Sequence, residues 1–142
     1  MVVRYANGTL VRGFIQNFSA NKDWFHLLPA DESSGGMIEV FVKRLKAVFV
    51  VRDFYGNPHY DERKKYLEGQ NPSGVKLEVT FADGEVLVGS TLLSYYPNRQ
   101  GNFVIPADPE SNNIRVFVVS SAVKSVRQLF DDLEHDHPQK ET

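Results

Sequence analysis

The sequence predicts an all-β protein built from two tandem five-stranded small barrels joined by a short linker. Three observations predict it: one pattern is stated twice, each statement opens on a hairpin signal, and each carries a glycine inside its second apolar run. "YANGTLVRGF" returns as "FADGEVLVGS", and "NKDWFHLLPAD" returns as "NRQGNFVIPAD". Gly8 and Gly84 stand 76 positions apart, as do Gly13 and Gly89, whereas Asn21 and Asn98, like Pro29 and Pro106, stand 77 apart. One inserted residue accounts for the difference. A register held over that distance implies two copies of one structural unit. Each copy has roughly 55 residues, near the lower size limit for independent folding, so the two are expected to share an interface.

The first copy, residues 1–52, opens on a strand from Val2 to Tyr5. Asn7-Gly8 follows, the preferred pair for a two-residue hairpin because both positions need positive φ. Leu10 to Ser19 is the returning strand, and Gly13 in its interior marks a bulge, a sharp bend or a close backbone approach. Trp24 to Leu28 is the third strand, "DESSGG" a loop, and Ile38 to Val42 and Ala47 to Val51 close the unit. Residues 53–74 read as a linker anchored by Phe54, Tyr55 and Tyr60, with one or two helical turns allowed at Asp61 to Leu67 but no wide apolar face there.

The second copy, residues 75–130, repeats the plan more cleanly. Val75 to Phe81 alternates strictly between apolar and polar residues, the mark of a half-buried strand. Asp83-Gly84 is the hairpin turn, and Val86 to Ser94 returns with Gly89 inside it. Tyr95 to Gly101 is a turn-rich loop, followed by strands at Phe103 to Pro106, Arg115 to Val119 and, after a break at Ser120-Ser121, Val123 to Leu129. Five short strands with a bent second strand point to a strongly curved barrel. Residues 131–142 read as a flexible acidic tail.

Composition bounds the function. The chain is 42% hydrophobic and 24% charged, with net charge −2 and no cysteine. No pervasive positive field draws nucleic acid, so such binding needs a local patch. Thiol catalysis, disulfides and Cys-ligated zinc are excluded. No signal peptide or membrane span is evident, which sets the expectation of a cytoplasmic protein.

The succession of strand, Asp/Asn-Gly turn, glycine-bent strand, Asn-bearing loop, strand and a short break before the last strand resembles the Sm-like and SH3-type small barrels. The Asn-bearing loops are matched by Asn21 and Asn98, and the break of the second family motif by Val42-Lys43-Arg44-Leu45 and Val119-Ser120-Ser121-Ala122. The tandem form with "RDFYGNP" is also similar to an uncharacterised bacterial double-barrel family, which brings no activity with it. The Sm-like resemblance implies single-stranded RNA bound by the Asn, an aromatic stacking partner and the Arg, which nominates Asn21, Asn98, Tyr95 or Tyr96, and Arg44. The second copy departs from the motif with Ser-Ser in place of Arg-Gly, and neither copy has that Gly.

The candidate binding residues are therefore Asn21, Lys22, Arg44, Tyr95, Tyr96, Asn98 and Arg99, in matching loops where cations neighbour Phe18, Trp24, Tyr95 and Tyr96. Such platforms suit stacked bases or a Pro-rich segment. The favoured reading is of loops whose Asn and Pro set turn geometry while Trp24 and Phe103 fill a core. Gly8, Gly13, Gly84 and Gly89 are structural. Arg12, Lys43, Arg44 and Lys46 form the densest basic run, which strand alternation scatters over two faces. Asp31-x-Ser33-x-x-Gly36 resembles half of the cyclic-dinucleotide signature of PilZ barrels, without its Arg-x-x-x-Arg half. His135 and His137 lie in the tail, His26 matches Phe103, and no Ser-His-Asp, paired carboxylate or glycine loop leading into a helix occurs in both copies. The expectation is a non-enzymatic binding or assembly module, with no cofactor and no metal, that recognises a protein partner or itself. Single-stranded nucleic-acid binding is the second reading, and nucleotide sensing the third.

Overall fold

The computed structural model describes residues 1–31, 36–56, 59–92 and 94–130. Ten strands follow in chain order: β1 (Val2–Tyr5), β2 (Leu10–Gln16), β3 (Trp24–Pro29), β4 (Ile38–Phe41), β5 (Leu45–Val51), β6 (Val75–Phe81), β7 (Val86–Thr91), β8 (Gly101–Pro106), β9 (Asn113–Val119) and β10 (Val123–Gln128). Single 3₁₀ turns, Val42–Arg44 and Ser120–Ala122, separate β4 from β5 and β9 from β10. The all-β expectation appears, in ten antiparallel strands. β7 stops at Thr91, short of the expected Ser94.

The two hairpin turns match atom for atom. Gly8 and Gly84 take φ of 96° and 95°, in the left-handed region that glycine enters without strain. Asn7 Oδ1 accepts Thr9 N at 2.9 Å, and Asp83 Oδ1 accepts Glu85 N at 3.0 Å. At Gly13 and Gly89 the answer is close backbone approach. A Cβ at Gly13 would lie 2.3 Å from Leu28 O, and one at Gly89 2.2 Å from Ile105 O.

The strands form one open antiparallel sheet in the order β10-β6-β7-β8-β9-β5-β1-β2-β3-β4. Each copy keeps its last strand beside its first. They are not two separately closed barrels, because β5 pairs with β9 of the other copy, Val48 opposite Phe117. The cause is visible in the side chains. Along β9, Phe117 and Val119 enter the first core while Val116 and Val118 enter the second. Along β5, Val48 faces the first core and Ala47 the second, with Phe49 packed beside it. Both strands are apolar on both faces, so each is buried only when flanked on both sides.

The first core contains Val3, Phe25, Leu27, Val40, Val42 and Leu45, and the second Val79, Phe81, Leu87, Val104 and Ala122. Trp24, expected inside, points outward and is half-buried. Residues 61–67 form no helix. The Arg63 N–H is taken by the Asp108 carboxylate at 2.8 Å instead of closing a helical turn. No helix among the described residues is long and apolar enough to cross a membrane.

Candidate functional site

The repeat brings the two Asn-bearing loops together. Gln100 Nε2 donates to Ala20 O at 2.8 Å and to Lys22 O, so the loop before β8 is tied to the loop before β3. Each loop presents a cation on an aromatic face: Lys22 Nζ lies 5.5 Å from the Trp24 ring centroid, and Arg99 Cζ 4.5 Å from that of Tyr96. Phe18 leaves its own loop and meets Phe25, Phe103 and Phe117 edge-on, with centroids 5.4, 6.0 and 5.0 Å away. Tyr95 is half-buried, and burial pushes its hydroxyl pKa up, tempered by hydrogen bonding to Ser120 and Asn102. Asn21 is exposed, its N–H accepted by Ser19 Oγ at 3.3 Å, and Asn98 lies in the exposed turn after Pro97.

Arg44 is not part of this pair. It borders a shallow cleft with Tyr5, Ala6, Asn7 and Thr9 at the first hairpin, where burial raises the Tyr5 pKa and Arg44 draws it back. The basic run is dispersed as alternation requires. Arg12 Nε donates to Phe54 O at 2.8 Å, with its guanidinium over Tyr55. Lys46 is buried, with Nζ 2.7 Å from Asp83 Oδ2, in contact with Glu85 and 4.8 Å from the Phe81 ring centroid. Lys46 thereby binds β5 to the second hairpin turn. Its hydrogen bond, with that of Glu85 N–H, holds the Asp83 carboxyl below the usual range.

A polar clamp also escapes the sequence reading. Asp108, 3% exposed, accepts the Tyr60 hydroxyl, Arg63 N and Glu110 N, the last two at 2.8 and 2.9 Å. Burial alone would raise its pKa, but these donors outweigh burial and lower it. The Asp108 hydrogen bond and partial burial push Tyr60 up to about 12. Gln70 and Arg63 donate to Ala107 O, and Asn112 exchanges two hydrogen bonds with the Asp53 backbone. The three aromatics expected to anchor the linker all find partners: Tyr60 here, Tyr55 under Arg12, and Phe54 edge-on to Phe14 at 5.5 Å.

Among the described residues two strand edges stay open, β4 and β10, the repeat counterparts of β9 and β5. They differ in character. β10 exposes Lys124, Ser125, Arg127 and Gln128, the charged edge that discourages strand addition. β4 exposes Phe41 and Glu39, and the outer face behind it carries apolar rows: Phe14 opposite Leu28 with Met37 continuing the row, and Trp24 opposite Phe41. His26, between them, meets Trp24 edge-on with centroids 5.0 Å apart and sets Nδ1 3.5 Å from Asn17 Nδ2.

Among the described residues no group of three or more His, Asp or Glu side chains is placed to hold a metal. The PilZ-like segment falls mainly on residues 32–35, and the tail histidines on residues 131–142, outside the described residues. No curated protein and no solved structure matches the chain, so the Sm-like resemblance has no named relative behind it. One family model matches residues 1–130, which spans both repeats and the linker that clamps them. The protein thus belongs to the family described as a family of unknown function, DUF6982.

Proposed function

We propose that the protein is a non-enzymatic binding and assembly module, made of two small barrels of the Sm-like or SH3 kind fused through β5 and β9, that recruits a strand of a protein partner or of another copy onto β4. The observation that carries this reading is the β5–β9 pairing itself. It is a worked example, inside one chain, of how the β4 position of one repeat receives a strand, and β4 of the first repeat is left open. Main-chain hydrogen bonds at such an edge supply affinity, and the flanking face supplies specificity. Phe14, Leu28, Met37 and Phe41 form that face.

For another copy the strand is β10. Carrying the internal register across the repeat sets Ser125 opposite Val40, Val126 opposite Glu39 and Lys124 opposite Phe41. Compared with Ala47, Val48 and Lys46 against the apolar β9, this contact has less to bury and more charge. It is reversible and weakens with salt. Light scattering across a concentration series is expected to show reversible self-association, and Leu28→Lys with Phe41→Lys to abolish it or the capture of a partner. A strict monomer at concentrations on the order of hundreds of micromolar, together with no partner lost on these substitutions, sinks the reading.

One observation favours single-stranded nucleic acid as a second reading: Gln100 sets Lys22 on Trp24 beside Arg99 on Tyr96, two cation-aromatic platforms on joined loops. Fluorescence anisotropy with mixed oligonucleotides tests it. Binding that falls steeply with salt supports it, and no signal at low salt removes it.

A further inference from the structure

The two copies differ where the outer face of the second meets the loop of the first. β2 and β3 stay paired from Gly13↔Pro29 to Gln16↔His26, but β7 and β8 pair only at Gly89↔Pro106 and Ser90↔Ile105. Beyond Ser90 the strands part, and a cleft of about 250 Å³ opens that Ala20 of the first copy helps to line. It is lined by Phe103, Ile105 and the edge of the buried Phe117 together with Arg99 and Arg115. The repeat supplies an internal comparison: the positions of Phe14 and Met37 in the first copy are Ser90 and Arg115 in the second. Bulky apolar side chains have become one small and one cationic side chain at the cleft.

Both guanidiniums are oriented by rings. Arg115 Cζ lies 4.6 Å from the Phe103 centroid, and Arg99 Cζ 4.5 Å from that of Tyr96. Among the described residues neither forms an ion pair with a carboxylate, although the chain carries a net charge of −2. Planar guanidiniums with unused donors recognise carboxylate and phosphate groups through paired hydrogen bonds. A few convergent polar groups above an apolar floor are the usual makings of a ligand site. We propose that this cleft binds a small aromatic acid, its ring against Phe103, Ile105 and Phe117 and its carboxylate or phosphate held by Arg99 and Arg115. The volume is below the usual range for drug-sized ligands, so one ring with one anionic group fits and a dinucleotide does not. The proposal is independent of strand addition at β4.

The test titrates the full ¹⁵N-labelled chain with phenyl phosphate and, separately, with benzoate, which distinguishes the two anionic groups. Inorganic phosphate and benzyl alcohol serve as the half-molecules. Saturable amide shifts at Ser90, Asn102, Ile105 and Arg115 with either acid, at least about tenfold tighter than with either half-molecule, are the expected result. Arg99→Gln and Arg115→Gln, both at exposed positions, are expected to weaken binding about tenfold each with the melting temperature unchanged. Ile105→Glu, which adds a like charge while leaving both arginines, is expected to abolish it. No saturation by either acid in the millimolar range, an equal response to inorganic phosphate alone, or unchanged binding in the double arginine variant overturns the proposal.

Discussion

Replacing Asp108 with Ala removes the acceptor on which the linker converges. Two backbone donors, Arg63 N at 2.8 Å and Glu110 N at 2.9 Å, would lose a buried carboxylate. A hydrogen bond to a charged group contributes about 1.5–3 kcal/mol, and relief of the carboxylate's own desolvation offsets part of that. Tyr60 is 41% exposed, so its bond adds nothing to the figure. The net loss is about 2–3 kcal/mol, which raises the open population of the linker roughly 30-fold to 150-fold. Arg63, Lys64 and Lys65 place trypsin sites inside that segment, so limited trypsinolysis read by mass spectrometry reports the opening. Asp108→Asn keeps one acceptor oxygen and is expected to lie between the two. The pH dependence has a definite sign. The folded pKa of Asp108 lies below 3.8, so its stabilisation is complete above that value and lost as pH falls through the lower one. Tyr60, raised from 10.0 to about 12, keeps its own bond to Asp108 below pH 10 and loses it as pH rises through about 12. Cleavage of Asp108→Ala within about threefold of the parent rate would refute the hub, since the opening energy would then be under about 1 kcal/mol.

Two other substitutions probe the joints of the repeat. Gly89→Ala would place a Cβ 2.2 Å from Ile105 O and is expected to cost about 2–3 kcal/mol in urea unfolding with an unchanged m-value; a loss below about 0.5 kcal/mol would mean the strands separate freely there. Lys46→Met replaces a buried cation by a chain of similar volume and is expected to change stability by less than about 1 kcal/mol at neutral pH. It should also flatten the share of the acid limb due to Asp83, whose lowered pKa gives stability present above 3.8 and lost as pH falls. Lys46→Glu sets a third carboxylate against Asp83 and Glu85 and is expected to unfold the junction by at least about 3 kcal/mol; a normally stable Lys46→Glu protein would show that the triad does not join the copies.

Much of the architecture was legible in local signals. Asn7-Gly8 and Asp83-Gly84 mark hairpins, but with three-residue loops in place of the expected two: only the glycine takes positive φ, and Tyr5 and Phe81 pair with Thr9 and Glu85 around it. Gly13 and Gly89 announce a close approach because any other residue there would carry a Cβ into the neighbouring carbonyl. One longer-range signal is also present in the sequence. β5 and β9 are apolar at successive positions, whereas β10 and β4, their counterparts, carry Ser125, Arg127 and Glu39. Strands buried on both faces belong inside a sheet, and strands with charges at alternate positions belong at its edge. That contrast distinguishes one fused sheet from two closed barrels. Of the candidate residues, Lys22 lies on a loop that Gln100 joins to the loop of Tyr96 and Arg99, and Arg44 lies elsewhere, because its turn packs on the first hairpin.

The order of strands within each copy, their turns and the twofold plan follow from periodicity and turn chemistry, which act between near neighbours and can be read along the chain. The pairing of β5 with β9, the seating of Lys46 between Asp83 and Glu85, and the capture of the linker by Asp108 join residues that are far apart in the chain. Burial decided them. A lysine, a carboxylate or a valine reads the same in the sequence whether it faces water or another strand. Only the folded sheet makes one environment far costlier than the other.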